Sequence, residues 1–468
     1  MSRPFPKTPF FTGNYAPITM ECDAPDLPIL GELPKDLAGT LYRNGPNPHH
    51  APRDQNHHWF IGDGMIHAFH IENGRVGYRN RWVRTPKWQL EAAAGHALFG
   101  SWGNPMTSDP SVAGKDGGVA NTNIVWHADR LLALEEAHLP FALDWRTLEP
   151  RGYCDFDGKL KFRMTAHPKI DPATGELVLF AYSAGGPFSR DMLYGTLDRR
   201  GKLTRLDRFE APYASMVHDF LVTEHHVLFP ILPLTGSMER AMSGKPAYAW
   251  EPEKGSRIGI MRRDGEVAAM RWFQSDACYV FHPLNAWEEG SKIIADVMQY
   301  EAAPLFPNPD GTPGDPAKAV ARLCRWTFDL AGNTDSFTRV YIDDLAGEFP
   351  RLDERFATRP YRHGYYACQQ RAEDAAFDAL AHLDRVTGRR TVYTLPKGDA
   401  ISEPVFVPRR NDSDEGDGWL LATIYRGAEK RSDLAIFAAD AIVDGPMATA
   451  QLSHRVPFGF HGNWRAAA

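Results

Sequence analysis

At 468 residues the chain is long enough for a large core, and 43% of it is hydrophobic. A formal charge of -7, with no long run of lysine or arginine, leaves no electrostatic footprint for nucleic acid. No apolar run reaches the ~18 residues of a membrane-crossing helix, and five scattered cysteines without a Cys-x-x-Cys pair suit a reducing compartment.

Along the chain, Met1 to Ile18 is rich in proline and aromatic residues and lacks the basic and unbroken apolar regions of a signal peptide, so a cytoplasmic protein is expected. His49, His50, His57 and His58 crowd a stretch dense in Pro, Asp and Asn and read as loop residues. Turn signals flanked by strand-like runs then recur at Glu72-Asn73-Gly74, Asp157-Gly158, Asp171 to Gly175, Arg200-Gly201, Asp264-Gly265, Ala331-Gly332-Asn333 and Thr387-Gly388. Each predicts a hairpin, and many evenly spaced hairpins predict a propeller or a large barrel. Helical stretches are few: Trp88 to Leu98, Met238 to Met242 and Pro316 to Ala321, read as insertions over one face of the β scaffold. Val227 to Leu234 reads as a buried strand followed by a loop, with an apolar lip formed together with nearby Met238 and Met242 and docking on a membrane surface as the alternative. Pro307 to Pro316 and Arg409 to Gly418 are surface loops too short to link domains, so residues 1–468 are expected to form one domain.

Four widely separated histidines, each beside an apolar stretch, carry the functional signal: His167, His218, His282 and His461. Their gaps, about fifty, about sixty-five and about three times sixty residues, are rough multiples of one propeller blade. Each blade sends its innermost strand to the axis, so four such histidines would converge there. Neutral imidazoles suit iron, zinc, copper or nickel, and an octahedral metal with four of them keeps two open positions for dioxygen and substrate. Ligating histidines usually donate their second N–H to a carboxylate or carbonyl. Glu136, Glu348 and Glu403 each lie beside apolar sequence and are candidates for that task.

Taken with Leu37 to Pro46, Gly62-Asp63-Gly64-Met65, Ala120-Asn121-Thr122-Asn123, Glu348-Phe349-Pro350-Arg351 and Glu403-Pro404 through Pro408-Arg409, these segments resemble the carotenoid cleavage oxygenases, most of all the bacterial lignostilbene dioxygenase branch. The resemblance covers nearly the whole chain. It implies an all-β fold, a seven-bladed β-propeller with a cap of loops and short helices over an axial metal. It also implies non-haem Fe(2+) on the four histidines, with Glu136, Glu348 and Glu403 behind them. Thr122 would place its methyl near a vacant iron position, and Phe60 would line the substrate cavity. The implied reaction is dioxygen-dependent scission of a conjugated carbon-carbon double bond in a small lipophilic or aromatic alkene, an apocarotenoid or a stilbene-like compound, to two carbonyl products.

The chain departs from the phenol-cleaving members at two substrate positions. Where they carry a tyrosine and a lysine that engage a 4-hydroxyl, it has Trp102 and Glu135. A carboxylate repels a phenolate, and an indole N–H cannot accept a hydrogen bond. The same scaffold also supports a retinoid-type isomerase or hydrolase, and a non-catalytic propeller would bind a partner without metal. Oxygen consumption and metal content separate these readings.

Overall fold

In the computed structural model, residues 3–53, 57–101, 104–371 and 377–467 are described. Among the described residues, seven sheets of four to six strands, with one small two-stranded sheet besides, make the seven blades of a β-propeller. The contacts divide the chain into two compact units, residues 1–161 with 365–468, and residues 162–364.

The first unit joins sequence from both ends of the chain. Its five-stranded sheet runs Cys22–Ala24, Arg75–Trp82, Gly64–Glu72, Gly39–Pro46, Gly462–Ala466, with Arg43 opposite Gly462. Here Asn73 (φ 54°) and Gly74 (φ 72°) make the two-residue turn that both positive φ values demand. A six-stranded sheet likewise takes Ile29–Gly31 onto Ala448–Gln451. Leu41, Phe69, Trp419, Leu421 and Leu434 form one core between these two sheets, all at most 1% exposed. Each such side chain contributes about 1.5–3 kcal/mol by leaving water. Asn123–His127, Arg130–Leu134, Phe141–Leu143 and Pro150–Tyr153 complete a third sheet.

The second unit holds the sheets Lys169–Ile170 to Leu203–Glu210, Leu221–Val222 to Arg271–Ser275, and Tyr279–Glu289 to Thr338–Tyr341. Val227 to Leu234 is buried throughout, and its strand His226–Ile231 pairs with Ser256–Arg262. The apolar run is therefore core. Met238 and Met242, on the short helix Met238–Met242, are 45% and 82% exposed.

The other turn signals join paired strands, except Asp157-Gly158. Both residues have positive φ, but they lie between Pro150–Tyr153 and Lys169–Ile170, which belong to different sheets. A local turn sequence sets the bend, not the pairing of what flanks it. The first helix spans Pro86–Ala94, earlier than Trp88 to Leu98, because Thr85 Oγ1 accepts the Trp88 N–H and Gly95 (φ 72°) ends it. Pro316–Lys318 makes one 3-10 turn, shorter than expected. No helix among the described residues is long and apolar enough to cross a membrane.

Candidate metal centre

Each of the four histidines occupies an irregular backbone position at or near a strand. His167 and His218 stand just before Lys169–Ile170 and Leu221–Val222, and His461 immediately precedes Gly462–Ala466. His282 sits where the strand Tyr279–Glu289 shifts register between Val280 and Pro283. A bulge re-aims a side chain out of the pleat, and Phe281 and Phe349 wall this one in, the Phe281 and Phe349 rings stacking on His282 at 6.0 Å and 5.3 Å. One ring nitrogen from each of His167, His218, His282 and His461 lies within 4.8 Å of the others. His167, His218 and His461 are buried, and the His282 side chain is 12% exposed.

The outer nitrogens decide what the inner ones can do. Glu348 Oε2 accepts from His282 Nδ1 at 2.6 Å and from the Phe349 N–H, while Tyr300 donates its hydroxyl to Oε1 at 3.0 Å. Burial and then the neighbouring Glu348 carboxylate push the Tyr300 hydroxyl well above its ordinary pKa, so it remains a donor. Glu403 Oε1 accepts from His461 Nδ1 at 2.9 Å and Oε2 from the Gly462 N–H at 2.8 Å. With Nδ1 donating, a neutral ring presents a bare Nε2 lone pair to the centre. The Nε2 atoms of His167 and His218 are 3.0 Å apart and those of His218 and His282 3.1 Å. Converging lone pairs repel unless a cation lies among them, and an all-imidazole set suits a divalent transition metal. The donor set therefore fits a bound metal ion.

Two supports were not anticipated from sequence. Arg43, 2% exposed, donates to the Glu403 and Phe460 carbonyls and lies 3.8 Å from Glu403 Oε2. Asp219, whose carboxylate binds Lys169 at 2.7 Å, stands 3.8 Å from His167 Nδ1. The adjacency His218-Asp219 was the available signal for the second; nothing in the segment Leu37 to Pro46 marked Arg43 as reaching sequence 360 residues away.

The other sequence candidates fall as follows. Thr122 accepts the His461 N–H at its carbonyl, 3.3 Å away, and so adjoins that ligand's backbone. Phe60, in the single turn Trp59–Ile61, packs edge-on against Phe460 at 5.6 Å, next to His461. Glu136 is half-buried just beyond Arg130–Leu134. Glu135 is buried, its Oε1 accepting the Val119 and Ala120 N–H groups and lying 3.0 Å from His138 Nδ1. Trp102 lies outside the described residues. His49, His50, His57 and His58 are not among the metal-binding groupings of the described residues; the His49 ring packs against Trp82 and Trp88.

The profile of the family described as retinal pigment epithelial membrane protein matches residues 15–466. Isoeugenol monooxygenase of Pseudomonas putida is 42% identical, over 98% of this chain and 98% of its own. Lignostilbene-alpha,beta-dioxygenase isozyme III of Sphingomonas paucimobilis is 38% identical, over 99% and 98%. The crystal structure of Pseudomonas brassicacearum lignostilbene dioxygenase superposes with a TM-score of 0.96 at 37% identity, covering 100% of both chains.

Proposed function

The chain belongs to the retinal pigment epithelial membrane protein family, that of the carotenoid oxygenases, and on that premise we propose that it is an Fe(2+)-dependent dioxygenase cleaving the conjugated double bond of an aryl alkene. Isoeugenol-like and stilbene-like compounds are the substrate class, and apocarotenoids the wider one. The observation that carries this reading is the four-histidine convergence, with the Nδ1 atoms of His282 and His461 held by Glu348 and Glu403. The five cysteines form no disulfide, in keeping with a reducing cytoplasm.

His167, His218, His282 and His461 would hold the metal, and Glu136, Glu348 and Glu403 are assigned as partner carboxylates. Bound Fe(2+) supplies electron density to dioxygen, which otherwise reacts slowly with a closed-shell alkene. In the overall reaction one C=C and one O=O bond break and two C=O bonds form, so no outside reductant is needed. Buried imidazoles and apolar neighbours such as Phe281 and Phe349 exclude water from the centre. Thr122, tied to the His461 backbone, is assigned to limit what enters a vacant coordination position, and Phe60 to orient the planar alkene.

The test is to incubate iron-loaded protein in air with isoeugenol, a 4-hydroxystilbene and an apocarotenoid while following oxygen uptake and products. One dioxygen consumed per alkene and two carbonyl products from an aryl alkene are expected. Turnover without oxygen uptake would overturn the reading in favour of an isomerase or hydrolase, and absence of bound metal would overturn it altogether.

A further inference from the structure

Between Gly118 and Asn123 the backbone is tied at nearly every residue. Ala120 has φ 46°, a left-handed conformation that a side chain with a Cβ does not adopt unless its surroundings hold it there. Its N–H goes to Glu135 Oε1 at 3.1 Å, and the preceding N–H, of Val119, goes to the same oxygen at 2.7 Å. Its carbonyl accepts from Asn44 Nδ2 at 2.9 Å, and that amide also reaches the Asn123 carbonyl at 2.8 Å. Gly64 packs so closely that a Cβ there would meet the Ala120 oxygen at 2.4 Å.

What this clamped segment carries is the proposed site. Asn121 Nδ2 donates to the Phe60 and Gly62 carbonyls, both at 2.7 Å, fixing the turn that bears Phe60. Thr122 donates its N–H to the Leu134 carbonyl at 2.9 Å and accepts the His461 N–H at its own carbonyl. Behind Glu135 stands His138, and Asp116 braces the other side by accepting the Gly118 N–H at 2.9 Å and the Tyr153 hydroxyl at 2.7 Å.

We propose that Glu135 is a positioning residue for the oxygenase reaction: its carboxylate locks Val119 and Ala120, and through them Asn121, Thr122 and the Phe60 turn, rather than contacting substrate. The proposal rests on the functional reading above only for the roles of Thr122 and Phe60. Burial alone would raise the Glu135 pKa, but His138 and the two N–H groups hold it below the ordinary carboxylate value, so the acceptor is charged when it holds the segment. A lysine there would offer three donors to two donors and leave both N–H groups without an acceptor.

The test compares wild type, Glu135→Gln, Glu135→Ala and Glu135→Lys as full-length, iron-loaded protein. Amide hydrogen exchange is followed over residues 117–123, and kcat and KM are measured for a 4-hydroxystilbene and its 4-methoxy analogue. Glu135→Ala and Glu135→Lys should raise exchange in that segment by about tenfold or more and lower kcat by a similar factor for both alkenes. The hydroxy-to-methoxy ratio of kcat/KM should stay within about twofold of wild type in every variant. Glu135→Gln, which keeps an acceptor oxygen, should recover most of the exchange protection and turnover. Exchange at the wild-type level in Glu135→Ala would overturn the proposal. So would a tenfold change in the ratio in Glu135→Gln with exchange unaltered, since that marks a substrate contact. If Glu135→Ala fails to fold, the Glu135→Gln ratio and its exchange decide. A wild type that cleaves neither alkene defeats the functional reading, while the exchange comparison still reads what Glu135 holds.

Discussion

Glu403 fixes His461 twice, taking the ring Nδ1–H on one carboxylate oxygen and the N–H of the next residue, Gly462, on the other. Side chain and main chain of one proposed ligand are thus set by a single buried group. Removing that group should loosen both at once. In Glu403→Ala, metal affinity should fall by about 10- to 100-fold. Glu403→Gln should fall less, because an amide oxygen still accepts from Nδ1. Iron per chain after dialysis against a graded chelator series checks both.

Replacing any one of His167, His218, His282 or His461 with Ala should lower iron from about one per chain to under about a tenth, with activity falling in parallel. Metal analysis alongside turnover is the measurement. Full iron in two or more of these variants would defeat the ligand assignment.

Deleting residues from Gly459 onward removes His461 and the strand Gly462–Ala466, which pairs with Gly39–Pro46 from Arg43 to Gly39. A terminal tail normally tolerates trimming, but this one completes a blade. The truncation should therefore lose activity and also melt several degrees below the His461→Ala protein. Equal melting temperatures for the two would show that the strand adds nothing to stability.

His67, 4% exposed, faces the Tyr78 hydroxyl at 2.7 Å, and burial first, then His454 and Arg43, push its pKa down to about 3. The folded state keeps this ring neutral while the unfolded chain protonates it below pH ~6.5. Folding stability from this group is thus complete above pH ~6.5 and lost as pH falls toward 3, by an amount on the order of a few kcal/mol. Urea midpoints at pH 7.5 and pH 5 should differ clearly in wild type. In His67→Gln the same pair should differ less; an unchanged difference would assign the acid sensitivity elsewhere.

Much of the site was legible because the sequence pattern and the propeller share one period. A histidine beside an apolar stretch, repeated at blade multiples, points to inner strands meeting at an axis, and Glu348 and Glu403 lie in segments whose composition already made an unpartnered carboxylate costly. Turn positions such as Asn73-Gly74 were legible because positive φ is written in residue type. Glu135 was not. Its identity suggested a charge opposed to a phenolate, whereas its surroundings depend on the backbone path of Val119 and Ala120, where two amides turn toward it. No local pattern encodes that path, nor the reach of Arg43 to Glu403. The helix occupies Pro86–Ala94 and not Trp88 to Leu98 because apolar spacing sets its face while Thr85 and Gly95 set its ends.

The pairing of Gly39–Pro46 with Gly462–Ala466 gives the chain a timetable. Translation at about 5–20 residues per second leaves the edge of Gly39–Pro46 without its partner strand for on the order of tens of seconds. An open strand edge is a template for mispairing, so the nascent chain should depend on holdase chaperones through that interval. His461 is also the last of the four proposed ligands to leave the ribosome, so the proposed four-histidine set is complete only after the first three have long been made.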